Sequence, residues 1–135
     1  MQSSYSACSA IIVRDVDNKV FVAQRKMTKS FGAGLWETIG GGVEPEDESL
    51  SACMKREIRE ELGVEVSDLK EFRDYRVDAG ENGEFLIKVF IVKLAGEPQP
   101  NSADFETAGW LSRPEIEKLE FVSNCKQRLL DYFDA

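Results

Sequence analysis

The chain has 135 residues, 42% hydrophobic and 31% charged, the balance of a soluble globular protein of one domain. Its formal net charge of −8 argues against a broad nucleic-acid-binding surface, and the lack of any histidine removes Ser-His-Asp and Cys-His catalysis together with imidazole metal sites. No run of about 18 apolar residues is present to span a membrane, the first ten residues lack a signal-peptide pattern, and Cys8, Cys53 and Cys125, without zinc-type spacing, read as reduced core thiols of a cytoplasmic protein.

Ala7 to Val13 and Lys19 to Gln24 alternate or run apolar over strand-like lengths, which predicts two strands around the turn Arg14 to Asn18. Asp15-x-Asp17 does not open a calcium loop, because the sixth and twelfth positions are Val20 and Lys26 instead of Gly and Glu. Arg25 to Trp36 lacks periodicity and carries Gly32 and Gly34, so a loop over the top of the sheet is expected, with Trp36 read as core and base stacking as its alternative. Gly40, Gly41 and Gly42 then offer backbone without Cβ, able to turn sharply and approach a metal or phosphate closely.

A helix is expected from about Asp47 or Glu48, with Pro45 at its entrance and Met54, Ile58 and Leu62 forming an apolar stripe. Gly63 suits the left-handed residue that closes it. Val64 to Val77 and Phe85 to Leu94 read as strands joined through Asp78 to Gly83, where Asn82-Gly83 is a turn signal. Ala95 to Phe105 reads as a loop, Thr107 to Leu111 as a short strand, and Pro114 opens a short helix to Leu119. A last helix from Asn124 to Phe133 places Leu129, Leu130 and Phe133 on its apolar side. Strands alternating with helices predict an α/β domain.

Glu57, Glu60 and Glu61 are the anomaly of the central helix. Their spacing puts three carboxylates on one face near the C-terminal turn, where they repel one another and oppose the helix dipole. A solvated face laced with Arg56 and Arg59 ion pairs is the plain reading. The functional one is that three clustered oxygens hold a hard divalent ion.

The surrounding order decides between them: Gly42, five residues, Glu48, seven residues, Arg56-Glu57-Ile58, Arg59, Glu60-Glu61, Leu62, Gly63-Val64. This resembles the complete signature of the Nudix hydrolases, MutT-like members included, with Gly42, Glu48 and Gly63 as its structural positions. One departure is Asp47 where members usually carry Gly, so that Gly41 or Gly42 fills the structural glycine position. The resemblance continues through Gln24-Arg25 and Gly34-Leu35-Trp36-Glu37.

The resemblance implies the Nudix fold, an α/β/α sandwich around a mixed β-sheet. It implies metal-dependent hydrolysis of a phosphoanhydride bond in a nucleoside diphosphate linked to another group, with Mg²⁺ or Mn²⁺ held by Glu57, Glu60, Glu61 and the carbonyl of Gly41. Arg56 would orient Glu57 and Glu48 would brace the loop. Asp104, with Glu106 as competitor, would be a further acid binding metal or acting as base. Arg25 would contact phosphates and Asn124 would read the base, a surface arginine and a helix N-cap being the respective alternatives. The expected partner is a small-molecule nucleotide, first a nucleoside triphosphate, oxidised or non-standard forms included, with release of pyrophosphate. Neither nucleic acid nor membrane is expected as a partner, and monomer or homodimer stays open. ADP-ribose, nucleotide sugars and dinucleoside polyphosphates stay open as substrates, and a nucleotide-sensing module without turnover is the alternative of another class. An isoprenoid diphosphate isomerase would need a histidine cluster that the chain lacks.

Overall fold

The computed structural model describes residues 5–78 and 80–135, with the backbone alone at Asn82; Ala79, inside the expected turn, lies outside the described residues. Seven strands form one mixed sheet: β1 (Ala7–Arg14), β2 (Lys19–Arg25), β3 (Trp36–Glu37), β4 (Ile39–Gly42), β5 (Val66–Asp78), β6 (Glu84–Leu94) and β7 (Phe105–Leu111). The helices are α1 (Leu50–Leu62), α2 (Arg113–Lys118) and α3 (Cys125–Asp134).

β1 is the organising strand. It runs parallel to β6, while its two halves part on the other side: Ile12 to Arg14 pair antiparallel with β2, and Ala7 to Ala10 pair antiparallel with β4. Alternation along β1 feeds two cores. Ala10 and Ile12 face α1 with Met54, Ile58 and Leu62, whereas Ile11 and Val13 face Ile116 of α2 and Leu129 of α3. The result is the expected α/β/α sandwich around a mixed sheet.

Three boundaries differ from the sequence reading. The central helix starts at Leu50, capped by the Ser49 hydroxyl, which accepts the Ala52 N–H at 3.0 Å. Asp47 is instead consumed in a turn, where its carboxylate accepts the Glu44 N–H at 2.8 Å. The glycine run is a strand: Cys8 pairs with Gly41 and Ser9 with Gly40, and a Cβ at Gly40 would collide with the Cys8 carbonyl. Trp36 and Glu37, at the end of the expected loop, form the two-residue β3 beside β2. Trp36 packs with the core on the α3 side, and its backbone holds the entry to α3 by accepting the Val122 N–H and donating to the Glu120 carbonyl, both at 2.9 Å. Gly63 closes α1 with φ 61°, its N–H bonded to the Arg59 carbonyl.

Candidate active site

α1 leans its buried stripe on the sheet and carries its acids along the β4 side, where the glycine strand lets them come close. A Cβ on Gly41 would sit 2.5 Å from the Glu57 carboxylate, whereas one on Gly42 would meet open space apart from the Ser6 carbonyl at 3.8 Å. The steric requirement for glycine beside the acids therefore falls on Gly41. Gly42 contributes its carbonyl, which accepts from Arg56 Nη2 at 3.1 Å.

Arg56 ties this end of the site together. Its Nε and Nη2 each donate at 2.9 Å to the two carboxylate oxygens of Asp47, a bidentate pair, and its Nη1 donates at 2.9 Å to Glu57 and at 3.3 Å to Glu60. The Asp47 side chain is only 4% exposed, and Arg56 holds its carboxyl well below the usual range. This corrects the expectation for Glu48. Glu48 is exposed and makes no hydrogen bond or ion pair among the described residues, so the acid that braces the loop against Arg56 is Asp47.

The three box acids have different surroundings. Glu60 is largely exposed. Glu57 is mostly buried, and burial raises its pKa against the opposing pull of Arg56. Glu61 is raised furthest, to about 8, first by burial and then by the charges of Glu57, Glu37 and Asp104, against a hydrogen bond from the Gly40 backbone that lowers it. Its Oε2 is buried without a hydrogen-bond partner.

Asp104 reaches this cluster because the preceding loop is fastened to the end of α1. The Gln99 N–H donates to the Leu62 carbonyl at 2.8 Å and the Asn101 N–H to the Glu61 carbonyl at 3.1 Å. Asp104 then stands at the mouth of β7, close enough to raise both Glu61 and Glu37, while Glu106 is exposed. Among the described residues no three acidic or thiol side chains converge as tightly as they would around a bound ion. The donor set nonetheless fits a hard divalent cation. A buried carboxylate oxygen without a partner, next to a second carboxylate pressed on glycine backbone, is a pair of ligands whose repulsion a cation would relieve.

Arg25 lies beside the acids but is engaged locally. Its Nη1 donates to Glu37 at 3.0 Å, its Nε to the Phe31 carbonyl at 3.0 Å, and its guanidinium lies 5.8 Å from the Phe31 ring. It shapes the 26–35 loop and holds Glu37. Asn124 stands at the N-cap position of α3 without making a side-chain capping bond, and its Oδ1 is buried without a partner.

A pocket of about 650 Å³ runs from Glu37, Gly40 and Gly41 to the start of α3, with Phe31, Phe85, Ile87 and Val122 among its apolar walls and Arg128 in its lining. Glu37, Asp47 and Arg128 are the residues that motif reading did not single out. Glu37 was visible only as the last residue of the Gly34 to Glu37 segment, Asp47 only as the departure from Gly before the box glutamate, and Arg128 gave no signal.

The chain belongs to the Nudix family, whose NUDIX domain model matches residues 5–133. It is similar to a CTP pyrophosphohydrolase of Escherichia coli, 52% identical over 59 residues, a match covering 44% of this chain and 41% of that protein. A putative 8-oxo-dGTP diphosphatase 2 of Mycobacterium tuberculosis is 34% identical over 103 residues, 76% of this chain and 71% of the relative. Among solved structures, a MutT NUDIX hydrolase from Burkholderia pseudomallei superposes with a TM-score of 0.69 at 28% identity, over 80% of this chain and 82% of that one. The chain is thus a Nudix hydrolase with MutT-like structural neighbours.

Proposed function

We propose that this protein hydrolyses a nucleoside triphosphate to a nucleoside monophosphate and pyrophosphate, with the acid face of α1 as its catalytic centre. The observation that carries the reading is the buried, unpartnered Glu61 Oε2 beside Glu57, the two acids lying against Gly40 and Gly41, whose backbone also lines a pocket large enough for a nucleoside. The names of the relatives, a CTP pyrophosphohydrolase and an 8-oxo-dGTP diphosphatase, support a triphosphate over a nucleotide sugar.

Glu57, Glu60, Glu61 and the Gly41 carbonyl would hold Mg²⁺ or Mn²⁺, which supplies positive charge to the phosphate oxygens and acidifies an attacking water. Arg56 keeps Glu57 in place and opposes the upward pKa shift that burial gives it, while Asp47 keeps Arg56 in place. Asp104 and Glu37 stand beside Glu61 as candidate proton acceptors; Glu37 is raised by burial. Arg25, with Nη1 and Nε already committed, would offer Nη2 to a phosphate. With so few local cations on an acidic chain, binding of a polyphosphate depends on the metal.

The test is phosphate release, with pyrophosphatase added, across canonical and oxidised nucleoside triphosphates, ADP-ribose and dinucleoside polyphosphates, with Mg²⁺ and with chelator. Metal-dependent release from triphosphates supports the reading. Turnover of ADP-ribose or dinucleoside polyphosphates alone overturns it.

A further inference from the structure

Arg128 is an arginine that the fold gives no acid. It is 5% exposed, lines the nucleoside-sized pocket, and makes no ion pair among the described residues. Its Nη2 donates to Cys125 Sγ at 3.1 Å, and its Nε is buried with no partner. It ends a polar chain through the pocket wall, in which Ser9 Oγ and Thr38 Oγ1 lie 2.7 Å apart and Thr38 reaches Cys125 Sγ at 3.6 Å. One turn earlier on the same helix, Asn124 accepts the Arg128 N–H on its backbone carbonyl and leaves its own buried Oδ1 unpartnered. A buried guanidinium without a carboxylate is costly. A sequence under selection for folding alone would place an apolar residue there.

From this geometry we infer that Arg128 is a specificity-determining residue that reads the nucleobase. This rests on the triphosphate reading and deepens it by naming the base. The guanidinium, which lines the pocket, offers paired donors, so the matching base edge carries two adjacent acceptors. Cytosine offers this as O2 and N3; guanine offers it as N7 and O6. Adenine and uracil alternate donors and acceptors along their edges, and 8-oxoguanine carries a hydrogen on N7, so none of the three presents the pair. The protein therefore selects cytosine or unoxidised guanine nucleotides.

The experiment compares kcat/KM for CTP, GTP, ATP, UTP and 8-oxo-dGTP in the wild type, Arg128→Met and Arg128→Lys. The wild type is expected to favour CTP or GTP over ATP by about 10- to 100-fold, which of the two it favours identifying the source of the edge. Arg128→Met should erase that preference while keeping turnover of ATP, and Arg128→Lys, without the paired donors, should keep only a small part of it. Calorimetric binding of CMP, GMP and AMP to wild type and Arg128→Met reads the same contact without turnover, so a failure of the triphosphate reading is distinguishable from a failure of this one. A wild-type preference for ATP, UTP or 8-oxo-dGTP, or base ratios unchanged in both Arg128 variants, overturns the inference. If Arg128→Met does not fold, the Arg128→Lys ratios and wild-type monophosphate affinities decide it alone.

Discussion

Glu61→Gln isolates the electrostatic conflict at the centre of the site. In the metal-free protein the Glu61 carboxyl is pushed from its ordinary 4.5 up to about 8, chiefly by burial. The folded state thus keeps a proton that the unfolded chain releases above about pH 4.5, and unfolding gains from that release. Stability should fall as pH rises from about 4.5 to about 8 and level off beyond. At roughly 1.4 kcal/mol per pKa unit, the loss across the window is on the order of 3–5 kcal/mol. Glutamine has the same shape and does not ionise, so Glu61→Gln should match the wild type near pH 5 and exceed it by that amount at pH 9. Glu57 and Glu37 are also raised by burial, so a smaller slope of the same sign should persist in the variant. The assay is urea unfolding in chelator at intervals from pH 5 to pH 9, kept above the range where Asp47, held low by Arg56, takes up a proton. Wild-type and Glu61→Gln curves that run parallel across this range would refute the reasoning, because Glu61 would then be ionised and solvated in the fold.

Three further outcomes follow from particular contacts. Asp47→Ala leaves Arg56 without its bidentate partner and should clearly lower the urea midpoint, whereas Glu48→Ala, at an exposed position, should stay within about 0.5 kcal/mol of wild type. Gly41→Ala should depress kcat at least about tenfold, since its Cβ displaces the Glu57 carboxylate, while Gly42→Ala should leave kcat near wild type. Arg25→Ala should raise KM for triphosphates and loosen the 26–35 loop, seen as faster proteolysis there; unchanged KM would leave Arg25 a purely local brace of Glu37 and Phe31.

Much of the fold was legible because its elements satisfy simple periodicities. β1 and β2 are short apolar runs, α1 carries its stripe at i, i+4 and i+8, and Gly63 sits where a helix must leave the right-handed region. What escaped depends on partners distant in sequence. Gly40 to Gly42 read locally as a turn, yet the segment is a strand because the backbone of β1 lies against it and tolerates no side chain at Gly40. Asp47 and Glu48 are neighbours in sequence, and motif spacing favoured Glu48. Only the fold shows that the turn closed by the Glu44 N–H aims Asp47 at Arg56.

Arg128 was invisible for a similar reason. Beside Lys126 and Gln127 it reads as part of a solvated helix face. It is buried because β3 clamps the chain at Glu120 and Val122, and the Tyr75 hydroxyl, donating to Asp131 at 2.7 Å, ties the next turn of α3 to β5. Asn124, by contrast, was legible as a candidate, and its unpartnered Oδ1 is what a capping role would have consumed.

The most direct test of the central claim is the product pattern from a nucleoside triphosphate, followed by ³¹P NMR in Mg²⁺, in chelator, and in Mg²⁺ with Glu57→Gln. The account predicts nucleoside monophosphate and pyrophosphate from the wild type with Mg²⁺, and intact substrate in the other two samples while Glu57→Gln remains folded. Release of nucleoside diphosphate and orthophosphate, or full turnover by Glu57→Gln, would contradict it.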